Sequence, residues 1–567
     1  MIREVDFVVV GSGFGGSVSA LRLAEKGYSV VVLERGRRFA ATDFPRTNWN
    51  ARKSLWMPAA KCFGILRLSF LSDVFVLSGS GVGGGSLVYA NTLYVPPDPF
   101  FASPAWAGLK DWKRALLPFY RRAQFMLGVT QNQFESEPDA VLADVARELG
   151  REDTYVRTPV AVFFGKPGER VPDPYFGGAG PERAGCVLCG GCMVGCRHEA
   201  KNTLDKNYLY LAERLGAEVV PLRTVVDVAA RAGGGYDVTH VASGAWVARD
   251  RQVIRARNVV MAAGVLGTVQ LLLECQRRGS LPGLSRALGR HVRTNSEAIL
   301  GVKSRKPGLR YDRGIAITSS IHPDADTHVE VVRYSDGSDA LAPLGTLLTD
   351  GGGRMPRWLR YLGNVARHPL GFARTLWPFG TARRGVYLLV MQTLDNSISL
   401  GLRRRWRRLW RRAMDTSPGE GPPSPTYIPL GNQVARTFAK KVDGVAKSSI
   451  LEVLFDVPTT AHILGGAVIA GSPDDGVIDT RHQAFGHPGL YVVDGSMIPA
   501  NLGVNPSLTI TALAEHAMSQ IPTKDGATVR PAVDPAWEAA RIAEIEARAR
   551  EVGSDSLQQR RTLPVVG

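Results

Sequence analysis

The chain has 567 residues, with 69 lysines and arginines against 52 acids and a formal net charge of +17. That length exceeds one ordinary hydrophobic core, so two domains are expected. The apolar fraction is that of a soluble protein and no run reaches bilayer-spanning length, while the first strand begins so near Met1 that no signal peptide is expected and the cytoplasm is the expected location.

In chain order, the first element is an apolar run at residues 7–10, suited to a buried parallel strand. Gly11, Gly13 and Gly16 follow at once in the spacing G-x-G-x-x-G. The first glycine permits a tight turn, the second lets the backbone approach a pyrophosphate, and the third allows close helix packing. Residues 17–26 predict a helix whose N-terminal N–H groups and dipole face the phosphates. Val30–Leu33 predicts the second strand, and Glu34 closes it where a ribose-binding carboxylate belongs. An acid there disfavours a 2′-phosphate, and with it NADP; FAD and NAD remain.

A second glycine-rich loop, GSGVGGGSLVYAN at 79–91, follows a predicted strand at 74–77. So many glycines after a strand point to backbone held close to a second part of the cofactor. Residues 217–228 and 257–273 read as further strand–turn–helix pieces, 490–493 as a short strand and Ser507–Ser519 as a helix. The predicted fold is α/β: a Rossmann-like nucleotide-binding domain from dispersed segments (1–40, 74–100, 205–300 and 471–522). An inserted α+β substrate domain with a mainly antiparallel sheet takes 41–73, 101–204 and 301–470. Residues 523–567 form a C-terminal helix and a loose tail.

Cys186, Cys189, Cys192 and Cys196 run C-x2-C-x2-C-x3-C, the spacing of a bacterial ferredoxin loop. Against a cluster, the fourth cysteine of that pattern serves a second cluster in two-cluster ferredoxins, and no second run exists here; Arg197 also stands where proline is usual. Two readings stand: a bound metal or iron–sulfur cluster, or structural thiols, reduced or disulfide-linked. From 354 to 412 there are fourteen arginines against one acid, Asp395, interleaved with Trp358, Tyr361, Phe372, Trp377, Phe379, Trp406 and Trp410. This segment suits peripheral contact with an anionic membrane, or a solvated face over core aromatics. No nucleic-acid-binding motif accompanies the charge, and no nucleic-acid partner is expected.

Four blocks resemble the glucose–methanol–choline (GMC) oxidoreductase family, and within it the flavin-linked cholesterol oxidases of the actinobacterial branch. They are the N-terminal fingerprint, GSGVGGGSLV, HILGG from His462, and VDGSMIPANLGVNPSLTITALAE. The resemblance implies non-covalently bound FAD contacted by Gly11, Gly13, Phe14, Gly15, Gly16, Glu34, Gly79, Gly83, Gly84, Ser86, Asn91, Val226, Asp494, Gly495, Asn505 and Pro506. It carries the family's catalytic histidine onto His462 and its partner asparagine onto Asn505. Glu330, in THVEVVRY, is the match for the glutamate that faces the steroid. Two departures bear on the substrate: Tyr89-Ala90-Asn91 stands where the steroid oxidases have an asparagine directly, and Ile463 replaces a proline. The implied activity is oxidation of a secondary alcohol on a sterol-like substrate, 3β-hydroxyl to ketone, with oxygen as acceptor and a 5-ene to 4-ene shift based on Glu330. The alternatives are an FAD dehydrogenase using another acceptor, and a non-enzymatic flavin-holding membrane protein.

Overall fold

The computed structural model describes residues 3–245, 250–404 and 412–551. Its first sheet is centred on Arg3–Val10, paired in parallel with Val30–Leu33 on one side and Gln252–Met261 on the other. Glu218–Val220 and Leu490–Val492 extend the parallel set. Phe7, Val8, Val9 and Val10 are all buried, as a parallel strand covered on both faces requires; each such side chain contributes about 1.5–3 kcal/mol by leaving water. The helix Phe14–Glu25 packs on Ser507–Ser519. Between them Arg22 bridges Glu25 and Glu515 at 2.8 and 2.9 Å, which ties the first motif of the chain to the last.

Residues 217–228 differ from the expectation. They are not strand–turn–helix but strand–turn–strand: Glu218–Val220, a turn at Leu222 in the left-handed region (φ 58°), then Arg223–Ala230. The β-branched run Thr224, Val225, Val226 favours the extended chain. This strand and Tyr236–Ala242 add an antiparallel flap to the parallel sheet. Of the predicted C-terminal segment 523–567, the helix stands at Pro535–Glu551, and 552–567 lie outside the described residues.

The second sheet has seven antiparallel strands in the order Gly345–Leu347, Gly444–Ser449, Ala298–Ser304, Gly385–Gln392, Thr327–Val332, Ile317–Ile321 and Val156–Arg157. Strand periodicity sorts its side chains. Leu300, Val302, Val329, Val331, Leu388 and Val390 pack in one core that includes Phe438 of the helix Pro429–Lys441. Ile299, Ile317, Val332, Tyr387 and Leu389 form a separate apolar cluster on the opposite face, and they line a large cavity between the two sheets.

Candidate active site

The cavity has a volume of about 720 Å³ and runs from the carboxyl ends of the parallel strands along the inner face of the second sheet. At the first end the predicted residues Gly11, Gly13, Phe14, Gly15, Glu34, Gly79, Gly84, Val226, Asp494, Gly495, Asn505 and Pro506 all line it. Bare backbone makes the cradle. A Cβ at Gly13 would point into open space, with its nearest neighbour 4.0 Å away, whereas one at Gly84 would press on the Cα of Gly13 at 2.6 Å. The two glycine loops therefore touch, and the open position at Gly13 faces the cavity where the helix Phe14–Glu25 begins. That arrangement fits a dinucleotide: backbone N–H groups and a helix N-terminus meet the pyrophosphate. Glu34 is buried and accepts hydrogen bonds from Ser12 N (3.0 Å), Ser12 Oγ (2.7 Å) and Gly36 N (2.8 Å), which fixes its carboxylate at the cavity wall. Asp494 caps the turn Gly495–Met497 by accepting from Ser496 N at 2.9 Å.

Four predicted contacts do not reach the cavity wall. Gly16 abuts the Gly11 carbonyl, as its helix-packing role demands. Gly83 and Ser86 brace their own turn through Ser86 Oγ to Gly83 O at 2.7 Å, and Ser86 Oγ also accepts from Leu204 N at 3.0 Å. Asn91, in the left-handed region at φ 71°, turns its buried side chain towards Cys192 instead.

The opposite wall gathers residues far apart in sequence. His462 Nδ1 lies 3.1 Å from Glu297 Oε2, and that same oxygen accepts from Thr460 Oγ1 (2.8 Å) and Ala461 N (3.0 Å). Asn505 Nδ2 donates to Glu330 Oε2 at 3.3 Å. Glu330 is fully buried and sits one layer behind Asn505 rather than on the cavity wall itself. Burial lowers the pKa of His462, but the charge of Glu297, its hydrogen bond and the charge of Glu330 outweigh it and the net direction is up. Burial raises Glu330 to about 8 against the opposing pull of Asn505 and His462. Oε1 of Glu297, Oε1 of Glu330 and Oδ1 of Asn505 are buried without a partner, so polar atoms at this end remain free for a ligand.

Glu297 was not legible in the sequence, since it lies in no motif. It follows Asn295 and Ser296, both in the left-handed region (φ 58° and 44°). Three asparagines hold that strained turn. Asn295 N donates to Asn501 Oδ1 (2.8 Å), Asn295 Nδ2 to Val504 O (3.0 Å), and Asn396 Nδ2 to Ser296 Oγ (2.6 Å). The turn carrying Glu297 is thereby fixed to the loop carrying Asn505.

The four clustered cysteines border a separate small cavity of about 20 Å³, room for about one water. All are free thiols, and burial pushes Cys192 up to about 11. Among the described residues no group of three or more histidine, cysteine or acidic side chains is placed to hold a metal ion. The metal or iron–sulfur reading therefore finds no support, nor does a disulfide. What the loop does is brace the site: buried Lys201 donates from Nζ to Leu87 O (3.0 Å), Tyr89 O (3.0 Å) and Cys192 O (2.8 Å). It joins the cysteine loop to the second glycine loop, and Met193 and Val194 reach the main cavity.

Comparison with known proteins agrees with this geometry. Residues 9–51 match the family model of an NAD(P)-binding Rossmann-like domain, and 404–514 that of the GMC oxidoreductases. The chain is 51% identical to a cholesterol oxidase of Mycobacterium tuberculosis over 576 residues, covering 100% of this chain and 99% of that one. It is 46% identical to a cholesterol oxidase of Acinetobacter baumannii over 92% of this chain and 95% of that protein. The crystal structure of pyridoxine 4-oxidase from Mesorbium loti superposes with a TM-score of 0.61 at 14% identity, over 91% of this chain and 98% of that one, a likeness of fold. The chain belongs to the GMC oxidoreductase family. It is an FAD-dependent oxidoreductase acting on CH–OH donors.

Proposed function

We propose that the protein oxidises the 3β-hydroxyl of a sterol to the ketone, with oxygen as the final acceptor. The observation that carries this reading is one polar cluster, Glu297, His462 and Asn505 with Glu330 behind it, beside a stretch of cavity wall made apolar by Ile299, Ile317, Val332, Tyr387 and Leu389. Its identity with two cholesterol oxidases supports the substrate class.

Bound along the two glycine loops, FAD supplies the acceptor for the hydride leaving the carbinol carbon. His462, with Nδ1 turned to Glu297, presents Nε2 as the base that takes the hydroxyl proton. Glu297 stabilises the imidazolium that results, as a buried carboxylate behind a histidine does. Asn505, pinned through Nδ2 to Glu330, adds a fixed dipole at the reacting carbon without titrating. Glu330, raised to about 8 by burial, lies behind Asn505; once Asn505 turns aside to admit it to the steroid, it moves a proton between carbons and brings the 5-ene into conjugation with the new ketone.

The basic segment at 354–412 has two faces. Tyr361 and Phe372 turn inward onto Leu347 and Val453, whereas Trp358, Leu362, Leu376, Trp377 and Phe379 are exposed and Leu370 is 73% exposed. The densest arginine run, 405–411, lies outside the described residues. No described helix is long and apolar enough to cross a membrane. An exposed apolar face among arginines, beside a cavity lined by Leu341, Ala342 and Leu344, suits lying on an anionic bilayer and drawing substrate from it. Flotation with vesicles of mixed neutral and anionic lipid tests this. Trp358→Glu with Leu362→Glu is expected to lower the bound fraction several-fold, and undiminished binding would contradict it. The sterol assignment is tested by product analysis in air: cholesterol should give the conjugated ketone and hydrogen peroxide in equal amounts, and no ketone would refute it.

A further inference from the structure

We propose that the end of the cavity remote from His462 binds a carboxylate, so that the preferred substrate is a 3β-hydroxysteroid whose side chain terminates in an acid. This rests on the sterol reading above and adds a second recognition point to it. Lys303 and Lys447 both line the cavity and are only 8% and 7% exposed. They lie on adjacent antiparallel strands, where Lys303 stands opposite Val445 and Lys447 opposite Gly301. The two lysines are therefore diagonal neighbours on one face, with Cβ atoms about 7 Å apart, a gap that a carboxylate can bridge. Strand alternation puts Lys303 on the same face as Ile299, which packs in the apolar cluster of the cavity wall.

Their hydrogen bonds leave the charge unmatched. Lys303 Nζ donates to Trp377 O (2.8 Å), Thr381 Oγ1 (3.0 Å) and Phe379 O (3.4 Å); Lys447 Nζ donates to Thr375 O at 3.3 Å. Among the described residues no carboxylate is within ion-pair distance of either. Asp339 is the acid nearest in effect to Lys303, and its two oxygens are already taken by Gly380 N (2.8 Å) and Ala382 N (2.7 Å). Arg384 adds a further positive charge beside Lys303. Buried like charges of this kind are costly, burial and neighbouring positive charge lower both lysines to about 8, and an anion between them would offset that cost. The spacing selects the anion's carrier. Glu297, beside His462, immediately precedes the strand Ala298–Ser304, and Lys303 is six residues further along it. At about 3.3 Å per residue that is about 20 Å, comparable to the reach of a sterol from its 3-hydroxyl to the end of its side chain.

The test compares, on the flavin-loaded full chain, a 3β-hydroxy-5-ene steroid acid with its methyl ester, equal in shape and lacking the charge. The acid should show a KM about tenfold or more lower than the ester, as a charged hydrogen bond from Lys447 Nζ together with the buried positive charge of Lys303 implies. In Lys303→Met/Lys447→Met the acid-to-ester ratio should collapse towards one, and Lys303→Arg/Lys447→Arg should keep most of it. Retained flavin absorbance identifies variants that have folded, and binding of acid and ester to the wild-type holoenzyme, followed by flavin fluorescence, gives the same comparison without turnover. Ester turned over as well as acid in the wild type, or an acid preference that survives the methionine pair, overturns the carboxylate subsite alone. Failure of both steroids to bind and to reduce the flavin removes the sterol reading together with it.

Discussion

The two ends of the cavity are built in opposite ways. At the nucleotide end, short contiguous runs supply much backbone, and the side chain of Glu34 is held by donors from the same loops. At the substrate end, four polar side chains arrive from positions 297, 330, 462 and 505 on separate elements. Backbone recognition is encoded locally by glycine spacing, whereas proton chemistry needs side chains brought together by the whole fold. The first end should consequently fail through packing, and the second through loss of a specific group with the cofactor still bound.

The largest expected effect tests the substrate end. His462→Ala should lower the rate of flavin reduction by about 10²–10⁴-fold, the usual worth of a positioned base, while flavin content stays normal; stopped-flow reduction and the absorbance ratio read the two separately. Glu330→Gln should remove at least about 10²-fold of the isomerisation and leave oxidation to the unconjugated ketone, seen by product chromatography. In the wild type the isomerisation should rise with pH through about 8, because Glu330 abstracts a proton only once ionised. At the nucleotide end, Gly84→Ala places a Cβ against Gly13 at a left-handed φ of 52°. It should cost about 1–3 kcal/mol, read as weakened flavin retention on dialysis. The smallest change concerns Glu297→Gln. His462 must be neutral to accept a proton, and Glu297 raises its pKa, so the acidic limb of kcat/KM should move to lower pH. An unmoved limb would separate Glu297 from the histidine.

Much of the nucleotide end was legible because each glycine's role follows from its spacing. The strand and turn around Gly11 to Gly16 and the helix Ser507–Ser519 stand where the sequence places them, while the first helix begins three residues earlier than expected, at Phe14. Reading failed where a side chain's direction decides the contact. Ser86 sits in the right loop but is consumed locally, and Asn91 turns towards Cys192 with both polar side-chain atoms unpartnered, which a motif cannot reveal. Residues 217–228 misled because a valine-rich run after a turn is ambiguous between helix and strand until its hairpin partner is known. The cysteine spacing resembled a cluster loop, yet the fold uses that loop to anchor Lys201 between two loops. Glu297 had no local signal at all. It became visible only through its oxygen, shared by His462 and Thr460 across some 160 residues of chain.

The central claim, that this site takes a hydride from a sterol hydroxyl, is tested most directly by anaerobic reduction of the bound flavin. Cholesterol, a long-chain primary alcohol and a sugar would each be offered to the purified protein. Bleaching by the sterol at a rate well above the other two is the predicted result. A flavin that stays oxidised with the sterol, or is reduced faster by either of the other alcohols, contradicts it.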